Sequence, residues 1–291
     1  MNNLVGIFLL LCIGGSGFSQ ISFNSSDAGI FQKFGTPQAA IGKNSSDLSL
    51  KNLGKLSLLG PLNRKDLKAL TKQTQLEILL LNSNGLTQLP EAPFTSPQLL
   101  VFSTKNNSLK SLPLPLIQSS SLEIIELDNV ALDSIPSSTL LPNLELLRIV
   151  KNAADSLVFP DSLPEMPSLR SIEFFQVPLT RFPEFIVRCP NLERIVLNGC
   201  RLDSIPERIS SLAKLHTLDV ENNALKKLPH ALGFMPNLRS LNVSANQLTS
   251  FPERLMYAPN LEELKVKNNP LPSEDFEILR IIGRATKTFV D

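Results

Sequence analysis

The chain has 291 residues, 42% of them apolar, and its 28 Lys and Arg against 27 Asp and Glu leave a formal net charge of +1. That balance removes the electrostatic case for nucleic acid or an acidic bilayer as partner, while the apolar share is ample for a large core. Two histidines and three cysteines leave little material for metal or nucleophile chemistry.

Residues Leu4 to Ile13 form an apolar run, followed by Gly14, Gly15, Ser16, Gly17, Phe18, Ser19 and Gln20. This is the layout of a secretory signal peptide, with small Gly17 and Ser19 before a cut ahead of Gln20. The run is too short to span a bilayer. Met1-Asn2-Asn3 carries no Lys or Arg, so the terminal amine alone supplies the positive start. A lipoprotein signal through Cys12 competes with this reading, although Leu11 before it is not small. The expected leader is 1–19, and the expected location is secreted or periplasmic or at the cell surface. Gln20 to Asn52 is rich in Ser, Asn and Gly, with scattered Ile30, Phe31, Phe34 and Ile41. It reads as a linker running into an N-terminal cap.

From Leu53 onwards a leucine opens the same phrase at Leu76, Leu99, Leu122, Leu144, Leu169, Leu192, Leu215, Leu238 and Leu261, in steps of 23, 23, 23, 22, 25, 23, 23, 23 and 23. No ordinary globular core demands evenly spaced leucines, so the chain stacks one repeated unit into a solenoid. The phrase is legible at Leu215, Leu218, Val220, Asn223, Leu225, Leu228 and Pro229. It recurs at Leu238, Leu241, Val243, Asn246, Leu248, Phe251 and Pro252, and at Leu76, Leu79, Leu81, Asn84, Leu86, Leu89 and Pro90. Its second and third apolar residues alternate with others, as a short strand with one buried face requires. The first unit, with Pro61 at the Asn position, is degenerate, and Asp66 to Lys72 reads as a short helix. Beyond the repeats, Ser273 with Glu274 and Asp275 suits a helix start. Phe276, Leu279 and Ile282 then give a helical apolar face, and Thr286 to Val290 a last strand.

The phrase L-x-x-L-x-L-x-x-N-x-L-x-x-L-P resembles the leucine-rich repeat, in its "typical" class with an L-P-x-x-I signature. The resemblance implies an α/β solenoid, a curved horseshoe with a parallel β-sheet on its concave face. A mostly extended or turn-like convex side and short helices mainly at the caps complete the expectation. The implied organisation is 1–19 signal peptide, 20–52 linker and N-terminal cap, 53–272 ten repeats, and 273–291 C-terminal cap helix and strand. Asn84, Asn107, Asn152, Asn223, Asn246 and Asn269 are expected to form a ladder of hydrogen bonds to buried backbone groups. The prolines that follow, such as Pro206, Pro229 and Pro252, favour extended structure on the convex side.

Departures cluster in the middle. Val130, Val177 and Cys200 take the Asn position, and the repeat from Leu144 carries about two extra residues within Ala153 to Pro160. Valine cannot make the ladder bonds, so local bonding must be reorganised there. This is repeat drift or a bulged loop beside a binding surface. Cys12 leaves with the leader; Cys189 falls on a core position and Cys200 on the Asn position, too far apart for a disulfide, so two buried free thiols are expected. Absence of the Cys-rich flanking caps seen in many animal extracellular relatives points to a bacterial secreted protein. His216 and His230 sit in no metal-spaced or nucleophile-spaced group and read as ordinary surface. Acceptor triplets at Asn24, Asn44, Asn106 and Asn242 matter only in a eukaryotic secretory host.

The phrase also fixes which side chains leave the core for the concave face. Before the second leucine the series runs Lys55, Ile78, Val101, Ile124, Leu146, Ser171, Arg194, Thr217, Ser240, Glu263. Four successive apolar residues therefore stand where water is expected. The next series contains Leu80, Ser103, Glu126, Arg148, Glu173, Val196 and Asp219, and the third adds Val150 and Phe175. With strands about 4.8 Å apart these form one stripe edged by charges, the kind of patch that marks an interaction site. The expected partner-binding residues are Ile78, Leu80, Val101, Ile124, Glu126, Leu146, Arg148, Val150, Glu173, Phe175 and Val196. Serine at Val101, Ile124 and Leu146 should then weaken binding and spare the fold. Two alternatives stand beside this: Gln20 to Asn52 folds back over the stripe, or the stripe is sheet packing without function.

The function expected is an exported binder of a protein partner, a monomer or small oligomer without transmembrane anchor, enzyme activity, cofactor or metal. The runner-up is a self-associating structural or adhesin component of the cell envelope.

Overall fold

A computed structural model describes residues 54–62 and 64–282, together with two short outer strands at 39–41 and 287–289. The leader, most of the segment 20–52 and Leu53 lie outside the described residues. So do the acceptor triplets at Asn24 and Asn44.

Twelve strands form one parallel sheet in strict chain order. They are β1 (Ala39–Ile41), β2 (Lys55–Leu59), β3 (Ile78–Asn82), β4 (Val101–Lys105), β5 (Ile124–Val130) and β6 (Leu146–Asn152). Then come β7 (Ser171–Phe175), β8 (Arg194–Asn198), β9 (Thr217–Asp219), β10 (Ser240–Asn242), β11 (Glu263–Lys265) and β12 (Lys287–Phe289). Each strand pairs with the one before it, one repeat back, so the solenoid is a horseshoe with the sheet along its concave side. Helices are few and short: α1 (Arg64–Leu70), α2 (Leu114–Ile117) and α3 (Asp275–Ile282). On the convex side 3₁₀ turns run at Glu207–Ser211, His230–Phe234 and Glu253–Tyr257. Each starts directly after an extended proline, Pro206, Pro229 or Pro252, with φ between −72 and −60°. The convex side is thus more turned than the prolines alone suggest: proline preorganises the residue that enters the turn.

The inward leucines make one continuous core from Leu56 to Ile282. Stacking is what closes it, because a single unit has no second layer to bury its apolar face against. Phe94 meets Phe102 edge-on at 4.9 Å, and Phe159 stacks on Phe174 at 5.5 Å and on Phe185 at 5.2 Å. Phe159 belongs to the stretch that carries the extra residues, so the insertion delivers an aromatic ring to the core.

The asparagine ladder satisfies the backbone where each strand turns away from the sheet. Asn107 Oδ1 accepts the amide N–H groups of Asn84 and Leu86, both at 3.1 Å, and Asn223 Oδ1 those of Cys200 and Leu202, both at 3.0 Å. The other atom of each amide donates to carbonyls, as Asn223 Nδ2 does to Leu197 at 2.7 Å. Asn84 Oδ1 is buried and has no partner among the described residues. Pro61 one repeat back has no N–H to give it.

Where asparagine is missing the backbone takes over. β5 and β6 lengthen to seven residues, Val130 pairs with Asn152, and Ala153 N–H donates to Val130 O at 2.6 Å. Further along, Leu179 N–H donates to Cys200 O at 3.0 Å and Leu157 N–H to Pro178 O at 2.7 Å. The reorganisation is an extra stretch of parallel pairing at Val130, and individual backbone bonds with an isolated Leu157–Leu179 bridge around Val177.

One feature of every repeat has no counterpart in the leucine pattern. The residue before each ladder position is left-handed: Ser83, Asn106, Asn129, Lys151, Gln176, Asn222, Ala245 and Asn268 have φ of 53 to 58°, and Gly199 has 67°. Asparagine recurs there because it tolerates this conformation, whereas Ala245 and Lys151 bear its cost.

Candidate concave-face binding site

The register places every concave position where the phrase put it. Ile78 pairs with Val101, Val101 with Ile124, Ile124 with Leu146, and Leu146 with Ser171. In the second series Leu80, Ser103, Glu126, Arg148, Glu173 and Val196 are successive neighbours, and in the third Val150 meets Phe175. All eleven expected residues therefore share one face, as neighbours on adjacent strands.

Exposure divides them. Ile78, Leu80, Val101 and Ile124 form an apolar cluster separate from the main core and are only 0 to 8% exposed. Glu126 and Val196 are buried too. The expected water-exposed stripe is thus a covered surface over β3 to β5. β4 is buried at all five positions, on both faces of the sheet. Among the described residues, Leu100 and Leu146 are the partly buried apolar side chains packed against the cluster. Serine at Val101 and Ile124 would consequently damage packing as well as any binding surface, which removes the triple serine variant as a clean probe.

From β6 the face opens, except at Val196 on β8. Leu146, Arg148, Val150, Glu173 and Phe175 are all partly exposed. Arg148 Nη1 donates to Glu173 Oε2 at 2.7 Å, and Arg194 Nε to Glu173 Oε1 at 3.2 Å. The Arg148 guanidinium also lies over the Phe175 ring, 5.2 Å from its centre. Glu173 thus holds two cations in register while an aromatic ring and aliphatic neighbours remain accessible. Beyond it, Asn242 Nδ2 donates to Asp219 at 3.2 Å and Glu221 at 3.1 Å, and the face becomes polar.

The sequence places Arg194 in the concave series but not among the expected partner-binding residues. Its placement beside Glu173 could have been found from the cross-strand neighbour rule applied to the Glu173 position. Beside the sheet, the lengthened repeat leaves a shallow polar hollow of about 280 Å³ lined by Asn152, Ala153, Asp155, Gln176 and Arg201. Arg201 Nη1 donates across it to the Asp155 carbonyl at 3.3 Å.

The remaining reactive groups are occupied structurally. Cys189 and Cys200 are free and buried, and burial pushes their thiols up to about 11 and about 12. Cys200 Sγ faces the Phe174 carbonyl at 3.7 Å. His216 lies on the surface with Nδ1 3.2 Å from the Thr217 hydroxyl, and His230 is exposed on the convex side. Among the described residues no three His, Cys, Asp or Glu side chains gather as a metal site, and no helix is long and apolar enough to cross a membrane.

A family model described as leucine rich repeat matches residues 190–248 and 215–271. Together with the one-strand-per-repeat sheet, this decides the family. The chain is a leucine-rich-repeat protein. Solved structures agree along most of its length. It is similar to a leucine-rich-repeat protein of Leptospira interrogans, with 25% identity, 83% of this chain and 67% of that one covered, and a TM-score of 0.63. An internalin of Listeria monocytogenes shares the fold at 19% identity, with 84% and 77% of the two chains covered and a TM-score of 0.63. Toll from Drosophila, in its complex with Spatzle, matches at 25% identity and a TM-score of 0.67; 82% of this chain covers 33% of that one. No curated protein matches this leucine-rich-repeat chain by sequence.

Proposed function

We propose that this protein is an exported module that binds a protein partner through the concave face of its sheet. The observation that carries the reading is the open part of that face. Phe175 and the aliphatic Leu146 and Val150 stand partly exposed beside Arg148, which Glu173 and the aromatic ring hold in place. An accessible aromatic next to a positioned arginine is the residue chemistry that dominates protein interfaces. The Drosophila neighbour was solved with a protein bound to it. Export rests on the leader pattern at 1–19.

Affinity capture with the mature chain as bait, followed by mass spectrometry, tests this. Phe175→Ala combined with Arg148→Ala should weaken capture at least tenfold, about 1.4 kcal/mol, with an unchanged circular dichroism spectrum. Capture at full strength by that variant would move the site elsewhere. Light scattering over a concentration range should show a monomer or small oligomer; continued growth would favour a self-associating envelope component.

A further inference from the structure

The covered half of the concave face needs an occupant. Ile78, Leu80, Val101 and Ile124 are 0 to 8% exposed, although a single sheet offers no second layer on that side. The same positions in β9 to β11, Thr217, Ser240 and Glu263, keep partial exposure on the same backbone. Outside β3 to β5 the concave face has isolated buried positions, Val196 on β8 and Asn242 on β10, but no other apolar cluster of this kind, so curvature alone does not account for four neighbouring apolar residues being shielded together.

The length of chain outside the described residues narrows the choice. Residues 42–53 are tied at both ends, between β1 and β2. β12, near the C-terminus, is at the opposite end of the sheet. What is left is the stretch before β1, which enters at Ala39 opposite Leu56, at the edge next to the covered strands. Ile124 stands four strands from β1, on the order of 20 Å at strand spacing, and the residues from Gln20 to Gln38 can span about 60 Å when extended. Their sequence fits the surface: Ile30, Phe31 and Phe34 are large apolar side chains suited to an apolar face.

We propose that the chain's own segment Gln20–Gln38 occupies the concave face over β3 to β5, seating Ile30, Phe31 and Phe34 against Ile78, Leu80, Val101 and Ile124 as a tethered ligand. Tethering gives it a high effective concentration at the groove. A partner then either uses the open surface from β6 onwards or displaces the segment. The consequence for a partner rests on the concave-face reading above; the seating of the segment does not.

The test uses the full mature chain with a photo-reactive phenylalanine analogue at position 31 or 34. Irradiation should give intramolecular cross-links to residues of β3, β4 or β5, read by mass spectrometry. Cross-links to other surfaces, or only between two copies, would overturn the assignment. A second arm needs no cross-linker: a fluorescent peptide of residues 20–38 should bind the Phe31→Asp, Phe34→Asp double variant at least tenfold more tightly than the unaltered chain. Equal binding to both would overturn it as well. Neither arm involves the protein partner, so loss of capture by the Phe175 and Arg148 variant stands or falls separately.

Discussion

The concave faces of β4 and β9 have the same geometry and opposite surroundings. β4 is buried at every position, whereas in β9 only Leu218 is buried and Thr217 and Asp219 reach solvent. Their registers are equivalent, each strand pairing in parallel with its neighbours one repeat away. A repeat therefore dictates the direction of a side chain without dictating whether it meets water. The two halves also differ chemically: apolar cluster at β3 to β5, ion pairs and an accessible ring at β6 to β8, amides and carboxylates beyond.

The sharpest way to break this comparison is to place one charge at the same position in both halves. Val101→Asp should cost about 3 kcal/mol or more by leaving a carboxylate buried, whereas Thr217→Asp should stay within about 0.5 kcal/mol. Urea midpoints of the two variants measure it; equal losses would mean that the covering of β4 does not persist in solution. The ladder offers the next largest effect. Asn223→Ala strands the Cys200 and Leu202 amides and should destabilise by about 1 to 3 kcal/mol. Val130→Ala should leave the neighbouring amides paired, because Ala131 N–H already donates to Leu109 O and Leu132 N–H to Asn152 Oδ1, and lose only packing. Hydrogen exchange at Leu202 and Leu132 would distinguish the two.

A gain is expected from Ala245→Gly, about 1 kcal/mol, since the left-handed φ of 53° costs alanine and not glycine. A thermal midpoint that falls would contradict that assignment of strain. The smallest effect is alkaline. Burial raises the Cys189 and Cys200 thiols to about 11 and about 12 from 9.0. Native protein holds these protons between pH 9 and those values while unfolded chain releases them, so stability should be unaffected below pH 9 and decline above it. Alkylation at pH 8 should label neither thiol natively and two in denaturant. Rapid native labelling would show that the core around β7 and β8 opens.

Much of this architecture is legible from single positions. Leu76 and its nine in-phase counterparts announce the stack, and Asn107 or Asn223 announces where the chain leaves the sheet. Arg148, Glu173 and Phe175 could be placed together by aligning the phrases that start at Leu144 and Leu169, because equivalent positions of successive units are neighbours on a parallel sheet even where the step is 25 residues. The left-handed row was not legible: Ala245 and Lys151 are poor signals for it, and only the recurring asparagines at 106, 129, 222 and 268 hint at the conformation. Phe159 reads as an insertion residue and is a core residue, since an irregular loop has no period from which to infer direction.

The sequence by itself determined the fold, the register and the face on which each concave residue stands, because these depend on local periodicity repeated until stacking becomes unavoidable. Only the tertiary structure decided that Ile78, Leu80, Val101 and Ile124 are shielded while Phe175 is open, that backbone bonds replace asparagine at Val130 and Val177, and that Phe159 turns inward. Those outcomes depend on contacts between segments distant in the chain, and a period carries no information about what returns to cover it.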